Sequence, residues 1–192
     1  MISDANHRPP AIEQSEQSNN LALVLKSWPL IALLTIGLCY LTQLVAGWFG
    51  VELKEQSTVE QMRTLGVYTW KALNEWPLSK SLTDRNVLAF LFNIPVILLV
   101  MPAIEEFIFR FLLFKLPARY AKPAVFAVTA SILFSAAHYL QAPWPNNAFL
   151  ALFFFGLAQC WLYRKTERIW CPILNHGLFN LTNLVLLFVV PA

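Results

Sequence analysis

Charge is scarce in this sequence. Asp, Glu, Lys and Arg make up 13% of the 192 residues, against about 25% in a soluble domain, and hydrophobic residues 57% against about 45–50%. An ordinary water-soluble globule is excluded. A net charge of +3 is too small for a nucleic-acid partner. The odd number of cysteines, Cys39, Cys160 and Cys171, each in or beside an apolar segment, argues against a disulfide framework and reads as embedded thiols. Residues 1–20 lack the basic-then-apolar order of a signal peptide, and the first apolar run is too long for one. The chain has no His-Glu-x-x-His zinc motif and no internal repeat of the kind many transporters carry.

What remains is a set of long apolar runs, and they predict an all-α, polytopic transmembrane helical bundle of about five spans. Residues 1–20 are expected to be a disordered polar tail. Residues 21–51 hold the first transmembrane helix: Ser27 to Val51 is uncharged and long enough to cross a core of about 30 Å, with Trp28 and Trp48 near its two interfaces. Residues 52–86 carry five Lys/Arg, five Asp/Glu, Trp70 and Trp76, the composition of an amphipathic segment lying at the membrane surface. Residues 87–192 are expected to form the helical core. Its first span runs from Val87 to about Leu116, bent by Pro95 and Pro102, the second of which frees backbone groups. Pro123 opens the next helix, Ala124 to about Leu140. Asn147 is placed to cap Ala148 to Tyr163, and the last span covers Ile169 to Val190.

Basic residues orient the spans. With five crossings, the N-terminal tail and the loops 115–123 and 164–168 share one side and hold eight Lys/Arg, while the opposite side holds five, all within 52–86. The positive-inside rule then puts the N-terminus in the cytoplasm and the C-terminus outside. Counting about 1.5 Å per residue from the cytoplasmic loops, Glu105 lies about 15 Å deep, His138 about 21 Å, His176 about 12 Å and Asn180 about 18 Å. Polar groups on three helices thus arrive near the midplane together.

Ionisable groups at bilayer depth are costly enough that their default reading is functional. Glu106 and Arg110, spaced i,i+4, also suit a buried salt bridge that holds the bundle. Glu105 points about 100° away from Glu106 and has no cation one turn on. A lone carboxylate in a low-dielectric cavity is suited to act as a general base. His138 could equally be a core histidine bonded to a backbone carbonyl, and His176 with Asn180, again i,i+4, a polar pair joining helices. Taken together, a base, two imidazoles and an amide at one depth suit water activation with oxyanion stabilisation.

Glu105-Glu106-x-x-x-Arg110, Phe134-x-x-x-His138 and His176-x-x-x-Asn180, in that order on successive spans, resemble the CAAX protease and bacteriocin-processing family of glutamic-type intramembrane endopeptidases, which includes type II CAAX prenyl proteases. The resemblance covers roughly residues 87–190. It implies that Glu105 activates the hydrolytic water, His138 holds that water, His176 and Asn180 stabilise the oxyanion, Glu106 and Arg110 orient the site, and Phe134 packs beside it. It also implies a membrane-associated protein or peptide as substrate, and residence in the plasma (inner) membrane of a prokaryote. Metal-free hydrolysis is the favoured chemistry. Zinc on Glu105, His138 and His176 is the alternative, as members of the family have also been described as metalloproteases. A non-proteolytic bacteriocin-immunity or scaffold protein, or a small transporter with a proton relay, would keep the same polar cluster for another purpose.

Overall fold

The computed structural model describes residues 10–53, 84–117, 122–141 and 146–189. These form five helical rods in chain order. Helix α1 spans Pro10–Trp48. Helix α2 is continuous from Arg85 to Lys115, with α-helical stretches Arg85–Pro95 and Met101–Glu106 alternating with π-helical stretches Val96–Val100 and Phe107–Lys115. Helices α3, α4 and α5 cover Pro123–Gln141, Ala148–Thr166 and Trp170–Val189. Among the described residues there is no strand. Three of the rods, α1, α2 and α3, are long and apolar enough to cross a membrane by length and composition alone. Helix α4 ends in Arg164 and Lys165, and α5 carries three Asn and a His, which lowers their apolar character.

Caps explain where several rods start and stop. The Asp84 carboxylate accepts from the Asn86 and Val87 amides and opens α2. At the start of α4 the side chain that caps is Asn146, accepting from the Ala148 amide at 3.2 Å; Asn147, the expected cap, makes no capping bond. Helix α4 closes on Glu167 in the left-handed region, φ 54°, with its amide on the Tyr163 carbonyl.

One expectation is corrected at α1. The polar stretch expected to be a disordered tail is helical from Pro10, its Glu and Gln residues being good helix formers on a rod that continues into the apolar run. Trp28 packs against the bundle core of Ile31, Ala32, Phe134, Phe155 and Phe179 and donates its indole N–H to the Thr182 hydroxyl on α5. At about 1.5 Å per residue the whole rod is nearly twice the length a bilayer core requires, so it has room both to dock and to protrude. Beyond Tyr40 its apolar side chains are exposed, Trp48 to 85%. Most of the segment expected to lie at the membrane surface, 54–83, falls outside the described residues.

Helix α4 is the centre of the bundle, packed on α1, α2, α3 and α5, while α5 also meets α1 and α2. The α3–α4 contact is the most extensive. A Cβ at Gly156 would stand 2.9 Å from Ser131 Cβ, so only glycine lets these backbones approach. One end of the bundle gathers the basic residues: Lys115 Nζ lies 5.7 Å from the Tyr163 ring, and Arg168 pairs with Glu16 of α1 at 3.7 Å. The N-terminal helix and the 164–168 loop therefore share that end.

Candidate active site

The site lies where α2, α3 and α5 meet, and the local structure of α2 sets it up. Proline at 102 has no N–H to give, so one carbonyl a turn earlier loses its donor. The helix responds by widening: the Met101 amide bonds Val96, five residues back, in the π register. Continued one step, that register would ask Pro102 to donate to Ile97. The donation comes from α5 instead, as Asn180 Nδ2 reaches the Ile97 carbonyl at 2.9 Å. The next carbonyl, Leu98, abuts Gly177, where a Cβ would overlap its oxygen.

Three residues beyond Pro102 come the paired glutamates. Glu106 is wholly buried. Its Oε2 forms an ion pair with Arg110 Nε at 2.9 Å, the local pair the spacing suggested, and its Oε1 faces His176 Nδ1 at 2.8 Å. A carboxylate accepts only, so that imidazole nitrogen carries the proton. Sequence reasoning missed this contact because its partners stand 70 residues apart. Phe134 fills the space between these groups: the Arg110 guanidinium lies 5.0 Å above its ring, and the His138 and His176 rings meet it at 4.5 and 5.9 Å. Phe155 closes on His176 from α4 at 5.0 Å.

Glu105 is held differently. Its side chain keeps 17% of its surface, and its Oε2 stands 3.8 Å from His138 Nε2 and 3.7 Å from His176 Nε2. His138 Nδ1 is 2.9 Å from the Phe134 carbonyl, which fixes the proton of the neutral ring there and leaves Nε2 as an acceptor turned toward the carboxylate. Both imidazoles thus have Nδ1 tied back and Nε2 presented to one oxygen. Separations near 3.7 Å are too long for direct hydrogen bonds and suit a bridging water.

Glu105, His138 and His176 are brought together, as are Glu106 and Arg110 with Phe134 beside them; Asn180 is directed to the Ile97 backbone. The straight-rod depths of His138 and His176 differ by about 9 Å, so their convergence on one oxygen requires α3 and α5 to be tilted or staggered relative to one another. No group of three His, Cys, Asp or Glu side chains among the described residues meets the geometry of a metal site. Behind His176, Gln159 of α4 donates to Asn175 of α5 at 2.9 Å, a buried amide pair whose only sequence signal was polarity inside apolar runs.

The family model of the Rce1-like type II CAAX prenyl endopeptidases matches residues 87–182. The chain belongs to that family. No curated protein and no solved structure matches it. The matched stretch begins in the first turn of α2 and ends inside α5, so it contains every member of the polar cluster and leaves out α1. This Rce1-like chain is an integral membrane protein of a protease family, and its polar cluster lies where α2, α3 and α5 meet.

Proposed function

We propose that the chain is an intramembrane endopeptidase that hydrolyses a peptide bond of a membrane-associated protein or peptide, with Glu105 as general base. The observation that carries this reading is the convergence of two imidazole Nε2 atoms on Glu105 Oε2 at 3.7 and 3.8 Å. A water seated there donates one hydrogen to Glu105 and the other to His138 Nε2, which leaves its lone pairs free to attack a carbonyl carbon. Glu105 takes the proton as the C–O bond forms. His176, its Nδ1–H held by Glu106, stabilises the oxyanion through a protonated Nε2, its charge and that of Arg110 being balanced by Glu106 and by the carboxylate of Glu105, whose charge passes to the oxyanion as it takes the proton. Collapse of the intermediate breaks the C–N bond, and the proton on Glu105 passes to the leaving amine. The Asn180 amide gives one N–H to Ile97, and this reading assigns the oxyanion to His176.

Zinc is the second reading, favoured by the same two Nε2 atoms: Glu105, His138 and His176 would hold it, and it would supply Lewis-acid activation of water. The membrane is read as the plasma membrane of a prokaryote with the N-terminus in the cytoplasm, supported by the eight-to-five Lys/Arg asymmetry and by the shared end of α1 and the 164–168 loop. A reporter fused after Ala192 is then active only outside the cytoplasm.

Protein termini compared in membranes from cells with wild-type chain, with Glu105→Gln and without the chain identify the cleaved bond. New termini that require Glu105 support the proposal, and their absence from wild-type membranes overturns it. With that substrate in hand, activity of the purified chain should survive exhaustive chelation. Loss on chelation and recovery with stoichiometric zinc would give the site to the metal.

A further inference from the structure

We infer that Asn180 and Gly177 act together as a clamp that holds the π turn of α2 open and thereby aims Glu105, which makes Asn180 a positioning residue; the inference rests on the proposed proteolytic reading. A π turn inserts one residue into a helix, and each residue is worth about 100° of rotation for everything beyond it. That is also the angular step from Glu105 to Glu106. Were Val96–Val100 to relax to the α register, each later residue would move into the place now held by its successor, so Glu105 would take the place of Glu106 and Ile104 would face the two imidazole Nε2 atoms.

Three observations converge on this turn. Met101 bonds Val96 in the π register, and Pro102, next in line, cannot continue it. The Ile97 carbonyl that Pro102 would have served takes Asn180 Nδ2 at 2.9 Å. The neighbouring Leu98 carbonyl lies so close to Gly177 that any side chain there would overlap it, so α5 reaches this depth only because residue 177 is glycine. Helix α5 therefore replaces the bond that proline deletes, from the same turns that carry His176. Base and imidazole are registered to each other through the backbone they share.

The test uses the full chain in bilayers and separates a clamp from a donor to the oxyanion. Asn180→Ala should lower kcat about 10- to 100-fold with KM changed less than about twofold, since a misaimed base costs turnover more than binding. Pro102→Ala in that background restores an N–H able to reach Ile97 and should recover at least about fivefold, which no oxyanion role of Asn180 would allow. Magnetic-resonance dipolar recoupling between carbonyl-13C isoleucine and side-chain-15N asparagine should show a contact that vanishes in Asn180→Ala. Absence of that contact in the wild-type chain overturns the clamp. So does undiminished activity of Asn180→Ala, or a loss that Pro102→Ala fails to recover in a variant of wild-type melting temperature. Contact present, but no Glu105-dependent cleavage by the wild-type chain, is the distinct signature that the proteolytic reading has failed.

Discussion

Glu105 and Glu106 are neighbours in sequence and opposites in environment. Glu106 is fully buried, with Arg110 on one oxygen and His176 on the other, at 2.9 and 2.8 Å. Glu105 keeps some exposure and has no partner closer than 3.7 Å among its ion pairs. Glu106 is fixed by a buried ion pair and a hydrogen bond, whereas the separations around Glu105 leave space for a water. One residue thus separates a frame from the carboxylate proposed to react, and His176, which faces both, links the two.

The largest effect expected is the one that removes the reactive side of this contrast. Glu105→Gln is nearly isosteric and breaks no close bond, so it should cut turnover at least about 10²–10⁴-fold. Stability should stay within about 1 kcal/mol of wild type, as for a substitution away from any tight network. Single-turnover cleavage and thermal melts in detergent measure the two. Normal turnover by folded Glu105→Gln would erase the contrast and favour a scaffold protein.

Glu106→Gln attacks the frame. It strands a buried guanidinium, which should cost about 3–5 kcal/mol, and slackens the grip on His176 Nδ1, so whatever folds should retain partial activity. Adding Arg110→Met removes the stranded charge and should restore stability better than activity, since His176 still lacks its carboxylate. If the double variant regained full turnover, Glu106 would be a structural ion pair alone.

Further out, Gly156→Ala pushes a methyl into Ser131 at the α3–α4 crossing and should cost about 1–3 kcal/mol, the range for overpacking. Because α3 carries His138, turnover should fall along with stability. Melts and kcat on the same preparation test it, and an unchanged melt would show that the crossing can widen without strain.

These environments were only partly visible in the sequence, and for different reasons. Helices α2 to α5 begin and end within a few residues of where the apolar runs and their prolines put them, because hydrophobic length and missing N–H groups are local properties. That Glu105, His138 and His176 share one slab could be anticipated from depth, since helical rise turns residue number into distance, but their meeting on one oxygen depends on how α3 and α5 tilt. The Glu106–His176 bond could not, as nothing at one position signals a partner on another helix. The same holds for Asn180. Pro102 announced a freed carbonyl, but which side chain would fill it depends on how α5 lies against α2. The early start of α1 was hidden because polar helix formers such as Glu16 and Gln17 leave no apolar pattern, and the π turns because no residue type marks them.

The smallest effect belongs to the pair at the far end of the bundle, Glu16 and Arg168. It is the one ion pair between α1 and the 164–168 loop among the described residues, and it resembles the Glu106–Arg110 pair in name only. Its groups lie 3.7 Å apart with 39% and 44% of their side-chain surface exposed, against full burial and 2.9 Å for the inner pair. Exposed pairs give back in side-chain entropy and solvent screening most of what they gain, so Arg168→Ala should change stability by less than about 1 kcal/mol, and less again at high salt. Helix α1 is held chiefly by its apolar face, by Ile31 and Ala32 in the core and by Trp28 on Thr182, none of which this substitution touches. Melts at low and high ionic strength with a parallel activity assay provide the measurement. A drop of several kcal/mol, or a loss of turnover, would mean that the docking of α1 depends on its charged end, and that the boundary between frame and periphery lies farther from Glu105 than burial alone implies.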